Sequence, residues 1–195
     1  KIRLILGLDE ETGWKGIEYY FDKVEAPTFG ITPDADFPVI NGEKGIMFFE
    51  LARKLSKGPS GGLQLSRLSG GEAPNMVPGS ARAVIRSDVK NAYEKIKEKI
   101  AAFREIEGHT VKVKGVGKSL EITCEGVACH GAVPEKGLNA ISILMKLLGE
   151  FNFANEEVNE FIDFYNKHIG FNLDGSRIGI GFSDEKSGRL SLNNG

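Results

Sequence analysis

The order of hydrophobic patterns between residues 80 and 151 constrains the fold more than any other feature of this sequence. Some segments alternate apolar and polar residues with period two, which is typical of strands, and others repeat every three to four residues, which is typical of helices. In chain order they predict a strand at 81–86, a helix capped by Asp88, strands at 110–113 and 120–125, and a helix at 137–151. The order strand, helix, strand, strand, helix predicts most of a ferredoxin-like α+β unit.

Weaker patterns extend the prediction to both sides of this unit. We predict a short helix at 17–21 and a third amphipathic helix at 156–169. Further strands are predicted at 1–8, 46–55, 63–68, 177–183 and 189–192. Glycine and proline make residues 57–62 a flexible connection.

The charge and composition argue against several kinds of partner. Lys and Arg number 25 against 27 Asp and Glu, a formal net charge of -2, which argues against a basic nucleic-acid-binding surface. The sequence has no run of 18 apolar residues, so we predict no membrane span and no membrane partner. Two cysteines do not make a disulfide scaffold, and we therefore expect a cytoplasmic protein.

Both ends of the chain lie directly beside predicted strands. Residue 1 opens into an apolar strand pattern with no polar leader before it, and residue 195 follows closely on the pattern at 189–192. Because domains usually end in exposed polar tails, we expect the chain to be an internal fragment of a longer protein.

An acidic triplet, Asp9-Glu10-Glu11, follows the first predicted strand. Carboxylates at the end of a strand lie at the rim of a sheet, where α/β domains place ligands and catalysts. Since adjacent carboxylates repel, a metal could compensate one of them while its neighbour acts as base for a metal-bound water. The triplet equally fits a solvated turn before a helix, stabilised by the helix dipole. Asp34, in a proline-flanked loop, is either a further oxygen ligand or part of an Asp-rich turn.

His130 lies between a strand pattern and a helix pattern, with small neighbours on one side. An accessible imidazole there suits a hydrogen-bond donor to a developing oxyanion, and it equally suits a histidine bonded to backbone at a strand end. Cys124 and Cys129 are interpreted as buried structural thiols, because a single cysteine pair without a second CxxC is a weak zinc signal.

Four motifs occur together in an order that resembles a known enzyme family. They are LDEETGW at 8–14, PDADFPVINGEKG at 33–45, GGEAPNMVP at 70–78 and HGAVPEKGLNA at 130–140. They resemble the co-catalytic zinc peptidases of the aminoacylase and carboxypeptidase-G family, and most of all the bacterial dipeptidase V and carnosinase-like (Xaa-His) dipeptidases. The resemblance covers most of residues 1–151 and is thinner beyond.

The resemblance implies a role for each matching residue. Glu10 matches the general base that takes a proton from the water bridging two zinc ions. Glu11 matches a ligand of one zinc ion, and Asp34 a ligand of the other. His130 matches the lid histidine that binds substrate and steadies the oxyanion of the tetrahedral intermediate, and Asn75 matches a lid asparagine that contacts substrate.

The resemblance also implies a division into domains and an activity. Residues 1–45 match part of an α/β catalytic domain, and residues 46–195 match a ferredoxin-like lid that is incomplete at its C-terminal end. The intact enzyme is expected to hydrolyse dipeptides with a free amino terminus, with Glu-activated metal-bound water as nucleophile and two Zn²⁺ ions as cofactors. Two ligand histidines, a bridging aspartate and a lid arginine of the family have no counterpart here. We therefore expect the chain alone to retain no zinc and to be inactive.

Two alternatives remain open. The first is a related deacylase or carboxypeptidase, although Trp14 and the connection at 57–62 fit the dipeptidase branch better. The second is a non-catalytic ferredoxin-like module for binding or dimerisation. Lids of this family dimerise through a sheet edge, so homo-association through an exposed edge strand is a further expectation.

Overall fold

The computed structural model describes residues 2–10, 13–34 and 37–195, which fall into an N-terminal unit, Lys1–Glu43, and a C-terminal unit, Lys44–Gly195. Among the described residues the N-terminal unit contains one helix, α1 (Lys15–Lys23). The elements of the C-terminal unit are β1 (Leu63–Gly70), β2 (Ser80–Ser87), α2 (Ala92–Glu107), β3 (Thr110–Val116), β4 (Ser119–Glu125), α3 (Ala140–Leu148), α4 (Glu156–His168), β5 (Ser183–Asp184) and β6 (Gly188–Arg189). Short 3-10 helices lie at Pro134–Lys136 and Ser176–Ile178. None of the described helices is long and apolar enough to cross a bilayer.

Strands β1 to β4 form an antiparallel sheet in the order β1-β2-β4-β3. In its central pair, Ala83 of β2 lies opposite Ile122 of β4, and Ile85 lies opposite Leu120. Because side chains alternate between the two faces of a strand, these four side chains share one face, and all four are buried. The connection β2-α2-β3-β4-α3 with this pairing confirms the predicted ferredoxin-like α+β fold.

Helices α2 and α3 cover the apolar face of the sheet, and α4 packs against α3. The buried side chains of these helices include Ile96, Ile100 and Phe103 of α2, Ile143, Leu144, Leu147 and Leu148 of α3, and Val158, Ile162 and Tyr165 of α4. The opposite face of the sheet carries charged pairs, Arg82 with Glu121 at 3.4 Å and Lys112 with Glu125. The sheet therefore has one apolar and one polar face, as antiparallel sheets commonly do.

The strands predicted at 1–8 and 46–55 are wrong. Residues 2–8 and 46–55 form no strand in the structure, and most of their apolar side chains are exposed, Leu4 and Ile46 to 82% each. A strand needs a neighbour that pairs with its backbone groups and a core that covers one face. The described residues supply neither to these segments, so the apolar pattern alone does not make a strand.

The predicted helix cap at Asp88 is also wrong. Helix α2 begins at Ala92, and its N-cap Asn91, in the left-handed region at φ 58°, has no side-chain capping bond. Oδ1 of Asp88 instead accepts a hydrogen bond from the backbone N–H of Gly62 at 2.8 Å. The carboxylate of Asp88 therefore links the residue that precedes β1 to the residue that follows β2, and it does not cap the helix.

The hairpin predicted from 177–183 and 189–192 is much shorter than expected. Its paired strands β5 and β6 contain two residues each, and a 3-10 helix occupies Ser176–Ile178. Oδ1 of Asp184 accepts hydrogen bonds at 2.8 Å from the backbone N–H groups of Lys186 and Ser187. Side-chain bonds of this kind favour a turn over a strand ladder, so the turn takes up residues that the pattern assigns to strands.

Truncation of Ile122 tests the importance of the central strand pair. Its side chain is fully buried, so Ile122→Ala is expected to lower the free energy of unfolding by about 2–5 kcal/mol through lost burial and a residual cavity. Val116→Ala, at a side chain 46% exposed on β3, is the matched control and is expected to cost about 0.5 kcal/mol or less. Urea unfolding of the three proteins measures the difference, and equal midpoints would contradict this account of the core.

Candidate functional site

In the N-terminal unit, the described acidic residues before α1 are Asp9 and Glu10. The carbonyl of Asp9 accepts hydrogen bonds from the N–H groups of Gly13 at 3.1 Å and Trp14 at 3.0 Å, and its Oδ1 accepts one from Gly16 N–H at 2.9 Å. Asp9 therefore stabilises the start of the helix, as one interpretation of the triplet expects. The side chain of Glu10 is exposed at the entrance to this turn.

The predicted metal ligands do not assemble into a complete site within the described residues. Glu11 lies outside the described residues, and the exposed Asp34 lies in a turn in which its N–H donates to the carbonyl of Thr32 at 3.1 Å. Over residues 2–10, 13–34 and 37–195, no group of three or more His, Cys, Asp and Glu side chains is arranged to hold a metal. Two carboxylates without imidazole are a poor donor set for zinc, so these residues alone do not fit that metal.

In the C-terminal unit, the sheet brings the loops of Asn75 and His130 to the same end. Ser80, the first residue of β2, pairs with Glu125, the last residue of β4. Because the two strands are antiparallel, the loop that enters β2 and the loop that leaves β4 emerge side by side. Asn75 lies five residues before Ser80 and His130 five residues after Glu125, which places both residues in these neighbouring loops.

Backbone hydrogen bonds join the two loops directly. The N–H of Gly131 donates to the carbonyl of Asn75 at 2.6 Å, and the N–H of Val77 donates to the carbonyl of Cys129 at 2.8 Å. The structure therefore brings two of the predicted site residues, Asn75 and His130, together, although they are far apart in the sequence.

The imidazole of His130 is exposed and its ring nitrogens are distinguished by one backbone contact. Nδ1 accepts a hydrogen bond from the N–H of Ala132 at 3.2 Å. This bond assigns the proton of the neutral ring to Nε2, which leaves Nε2 as a donor. The backbone contact agrees with the interpretation of His130 as a histidine bonded to backbone, and its role as an oxyanion donor stays a prediction.

A third segment, residues 193–195, completes this arrangement and was not among the predicted site residues. Nδ2 of Asn193 donates to the carbonyls of Pro74 at 3.0 Å and Met76 at 2.8 Å. A Cβ atom added at Gly195 would lie 2.7 Å from the carbonyl oxygen of Ala73, so the third segment also packs closely on the first. We call the meeting point of residues 73–77, 129–131 and 193–195 the three-loop junction.

The two cysteines differ in their surroundings, contrary to the prediction that both are buried. Cys124 of β4 is fully buried, and burial raises the pKa of its thiol to about 12. Cys129 is only partly buried beside His130, with Sγ 3.3 Å from the carbonyl oxygen of Val133. Cys129 is the more accessible because it follows the last strand of the sheet instead of lying inside it.

Comparisons with known proteins agree with this architecture. Residues 111–187 match the M20 family profile described as a peptidase dimerisation domain. The whole chain is similar to a protein of Staphylococcus haemolyticus named "Putative dipeptidase", with 33% identity over 199 residues. Two proteins of the same printed name from Staphylococcus aureus, strains bovine RF122 and USA300, are 36% identical over 200 residues.

These alignments cover 100% of this chain and 41% of each of the three relatives. The chain thus spans about two fifths of the length of the curated relatives that it matches. The chain is therefore similar to the M20 dimerisation domain over residues 111–187 and to these three relatives over its full length.

Thiol labelling tests the difference between the two cysteines. Iodoacetamide at about pH 8 is expected to modify Cys129 in the folded chain and to leave Cys124 intact, because only a thiolate reacts and burial keeps Cys124 protonated. A Cys129→Ala variant is the control and is expected to show no rapidly reacting thiol until denaturant is added. Mass spectrometry of the labelled peptides measures both, and rapid native-state modification at Cys124 would contradict the assignment.

The raised pKa of the Cys124 thiol also affects the stability of the folded chain at alkaline pH. The folded chain holds the Cys124 pKa at about 12, well above the value of about 8.5 expected for an unfolded thiol. The neutral thiol therefore contributes to stability below about pH 8.5, and that contribution falls as the pH rises toward the folded value.

Proposed function

We propose that the whole protein is a zinc-dependent dipeptidase that hydrolyses dipeptides with a free amino terminus. The observation that carries this proposal is the junction of Asn75 and His130, whose loops are joined by the 2.6 Å bond from Gly131 to Asn75. An exposed imidazole donor and a polar amide on two joined loops are suited to bind a peptide carbonyl and the charge that develops on it. The printed names of the relatives aligned over the full chain support the same activity.

We assign the two parts of the chain to the two functions that such an enzyme needs. Residues 1–45 are proposed to belong to the catalytic domain and residues 46–195 to a lid that closes on the substrate. The profile match at 111–187, within the sheet and helices of the C-terminal unit, supports the second assignment. A closing lid supplies a charge-stabilising donor only when substrate is bound, and it excludes water at the same time.

Each predicted site residue has a proposed role. Glu10, whose side chain is exposed, is proposed to accept a proton from the attacking water, a role that needs its carboxylate within hydrogen-bond distance of that water. His130 donates from Nε2 to the oxyanion, and Asn75 contacts the substrate. Glu11 and Asp34 are proposed ligands of zinc.

Zinc is proposed for the complete protein and not for this chain alone. Since Glu11 and Asp34 do not by themselves fit zinc, and the described residues contain no cluster of three or more potential ligands, the remaining ligands are proposed to come from other parts of the whole protein. The curated relatives, of which the chain covers 41%, are long enough to supply them. When bound, zinc would supply an activated water, and the proton acceptor for that water is the role assigned to Glu10.

We further propose that the protein is cytoplasmic and that two copies associate through the C-terminal unit. The matched profile is described as a dimerisation domain. Strands β1 and β3 are the edges of the described sheet, and an edge strand offers unpaired backbone groups to a second copy.

The profile description also favours a second candidate function. A non-catalytic dimerisation module would need the sheet and helices but none of the carboxylates at Glu10, Glu11 and Asp34. A deacylase or carboxypeptidase remains the alternative within the family, and a panel of dipeptides and acylated amino acids on the whole protein separates these activities.

Substitution of Glu10 in the whole protein tests the catalytic assignment. Glu10→Gln removes the proton acceptor and is expected to lower kcat about 10²- to 10⁴-fold while zinc content stays unchanged. Glu18→Gln, on the exposed surface of α1, is the matched control and is expected to keep normal turnover. Near-normal turnover of Glu10→Gln would remove Glu10 from the mechanism.

Metal analysis of the 195-residue chain tests the ligand assignment. After dialysis against zinc and then against buffer, the chain is expected to hold almost no zinc, because two carboxylates bind it weakly. Elemental analysis per chain is the measurement, and the whole protein treated identically is the positive control. A content of two zinc ions per chain would show that ligands proposed to lie elsewhere are present here.

A further inference from the structure

The side chain of Asn193 forms hydrogen bonds with the backbone on both sides of Asn75. Its Nδ2 group donates to the carbonyls of Pro74 at 3.0 Å and Met76 at 2.8 Å, the residues before and after Asn75. A side-chain amide has two N–H donors on this nitrogen, so one side chain can satisfy both carbonyls. The Pro74 carbonyl lies in the peptide plane that precedes Asn75, and the Met76 carbonyl lies one plane beyond the one that follows it. The plane between them carries the Asn75 carbonyl, which accepts from Gly131 N–H, so these bonds together restrict the backbone of Asn75 and with it the direction of its side chain.

The same loop is in close contact with the loop of His130. Besides the bond from Gly131 N–H to the carbonyl of Asn75, a Cβ atom added at Gly131 would lie 2.9 Å from that oxygen and 3.2 Å from Nδ2 of Asn193. Such close approach is possible only because residue 131 is a glycine. A displacement of the Asn75 loop would therefore also move the backbone next to His130.

The neighbour of Asn193 anchors this segment to the helices. Nδ2 of Asn194 donates to the hydroxyl of Tyr165 at 2.8 Å, and Nδ2 of Asn139 donates to the carbonyl of Asn194 at 2.7 Å. The Tyr165 hydroxyl lies 3.1 Å from Oγ of Ser142, which donates to the carbonyl of Gly170. Tyr165 and Ser142 are buried, so this anchor belongs to the packed interior of α3 and α4.

Side-chain packing alone does not fix the third segment. A cavity of about 140 Å³ adjoins Asn193 and Asn194, lined also by apolar residues that include Val77, Leu138 and Leu192. Because the apolar contacts there are incomplete, the hydrogen bonds of the two asparagines add restraints on where the segment lies.

We propose that Asn193 is a positioning residue of the substrate site: it transmits the fixed position of the α3–α4 anchor to Asn75 and, through Gly131, to His130. The roles of Asn75 and His130 in this inference rest on the proposed dipeptidase function. The contacts of Asn193 with the two loops do not depend on that function. The structural part and the functional part of the proposal can therefore be tested separately.

Hydrogen exchange on the 195-residue chain tests the structural part of the proposal. In Asn193→Ala, the amides of Gly131 and Val77, which join the two loops, are expected to exchange at least about tenfold faster, since local opening needs one restraint fewer. The amide of Ile122, in the central strand β4, is expected to be unchanged. Asn152→Ala is the matched control, because Asn152 is exposed and accepts one hydrogen bond of 3.4 Å from Asn159.

Unchanged exchange at Gly131 and Val77 would overturn the proposal. If Asn193→Ala unfolds the whole chain, Asn193→Asp decides, because it keeps the shape and replaces the donor by a carboxylate facing two carbonyls. Faster exchange at the junction is expected at neutral pH. Protonation of the introduced carboxylate, well below the usual aspartate pKa of about 3.9, restores one donor and is expected to restore part of the protection. Equal protection of these amides at both pH values, measured relative to the intrinsic exchange rate at each pH, would count against the proposal.

Kinetics of the whole protein test the functional part. Misplacement of both Asn75 and His130 is expected to raise KM and lower kcat together, with kcat/KM down by as much as about 100-fold. A loss of folded enzyme alone would lower the apparent kcat and leave KM unchanged, which would contradict a positioning role. If the wild-type protein cleaves no dipeptide, the proposed function fails, whereas the exchange experiment still decides the position of Asn193.

Discussion

The antiparallel pairing of β2 with β4 is the interaction on which the rest of the C-terminal unit depends. Its inward side chains, such as Ala83 and Ile122, form the floor on which α2 and α3 pack. The same pairing sets Ser80 against Glu125 and so fixes where the two loops beyond the sheet begin. One register thus determines both the core and the meeting of the Asn75 and His130 loops, since a slip of one residue would turn the buried side chains outward.

Sequence periodicity predicts those elements whose apolar pattern coincides with a real core. The four sheet strands and helices α2 to α4 satisfy this condition, because local pattern and tertiary burial agree there. The segments 2–8 and 46–55 have the same kind of pattern but no strand partner among the described residues. Periodicity shows that a segment has apolar side chains, but it does not show which other segment packs against them. The predicted helix cap at Asp88 is wrong for a related reason. Its carboxylate accepts a hydrogen bond from Gly62, a residue distant in the sequence, which a local pattern does not reveal.

In the candidate site, too, some residues could be predicted from local sequence motifs and others could not. Asn75 and His130 could be predicted as site residues because they lie in motifs that resemble a family. The structure adds the backbone bonds between their loops, and their roles stay predictions. Asn193 could not be identified in this way, because it binds the main-chain carbonyls of Pro74 and Met76. Any residue has a carbonyl, so such a contact leaves no pattern of residue types. Glu10, Glu11 and Asp34 stay predictions, since their role depends on partners outside the described residues.

The polar side chains that stabilise the three-loop junction are neutral, whereas the groups proposed to take part in the reaction are titratable. Asn139, Asn193, Asn194 and Ser142 carry no titratable group, and burial raises the pKa of the Tyr165 hydroxyl, which therefore stays protonated through neutral pH. A neutral network keeps its hydrogen bonds while nearby carboxylates and imidazoles gain or lose protons. The hydrogen bonds of the three-loop junction are consequently insensitive to changes of protonation near neutral pH. Under the proposed function, the junction would supply the geometry of Asn75 and His130 without a change of its own charge in that range.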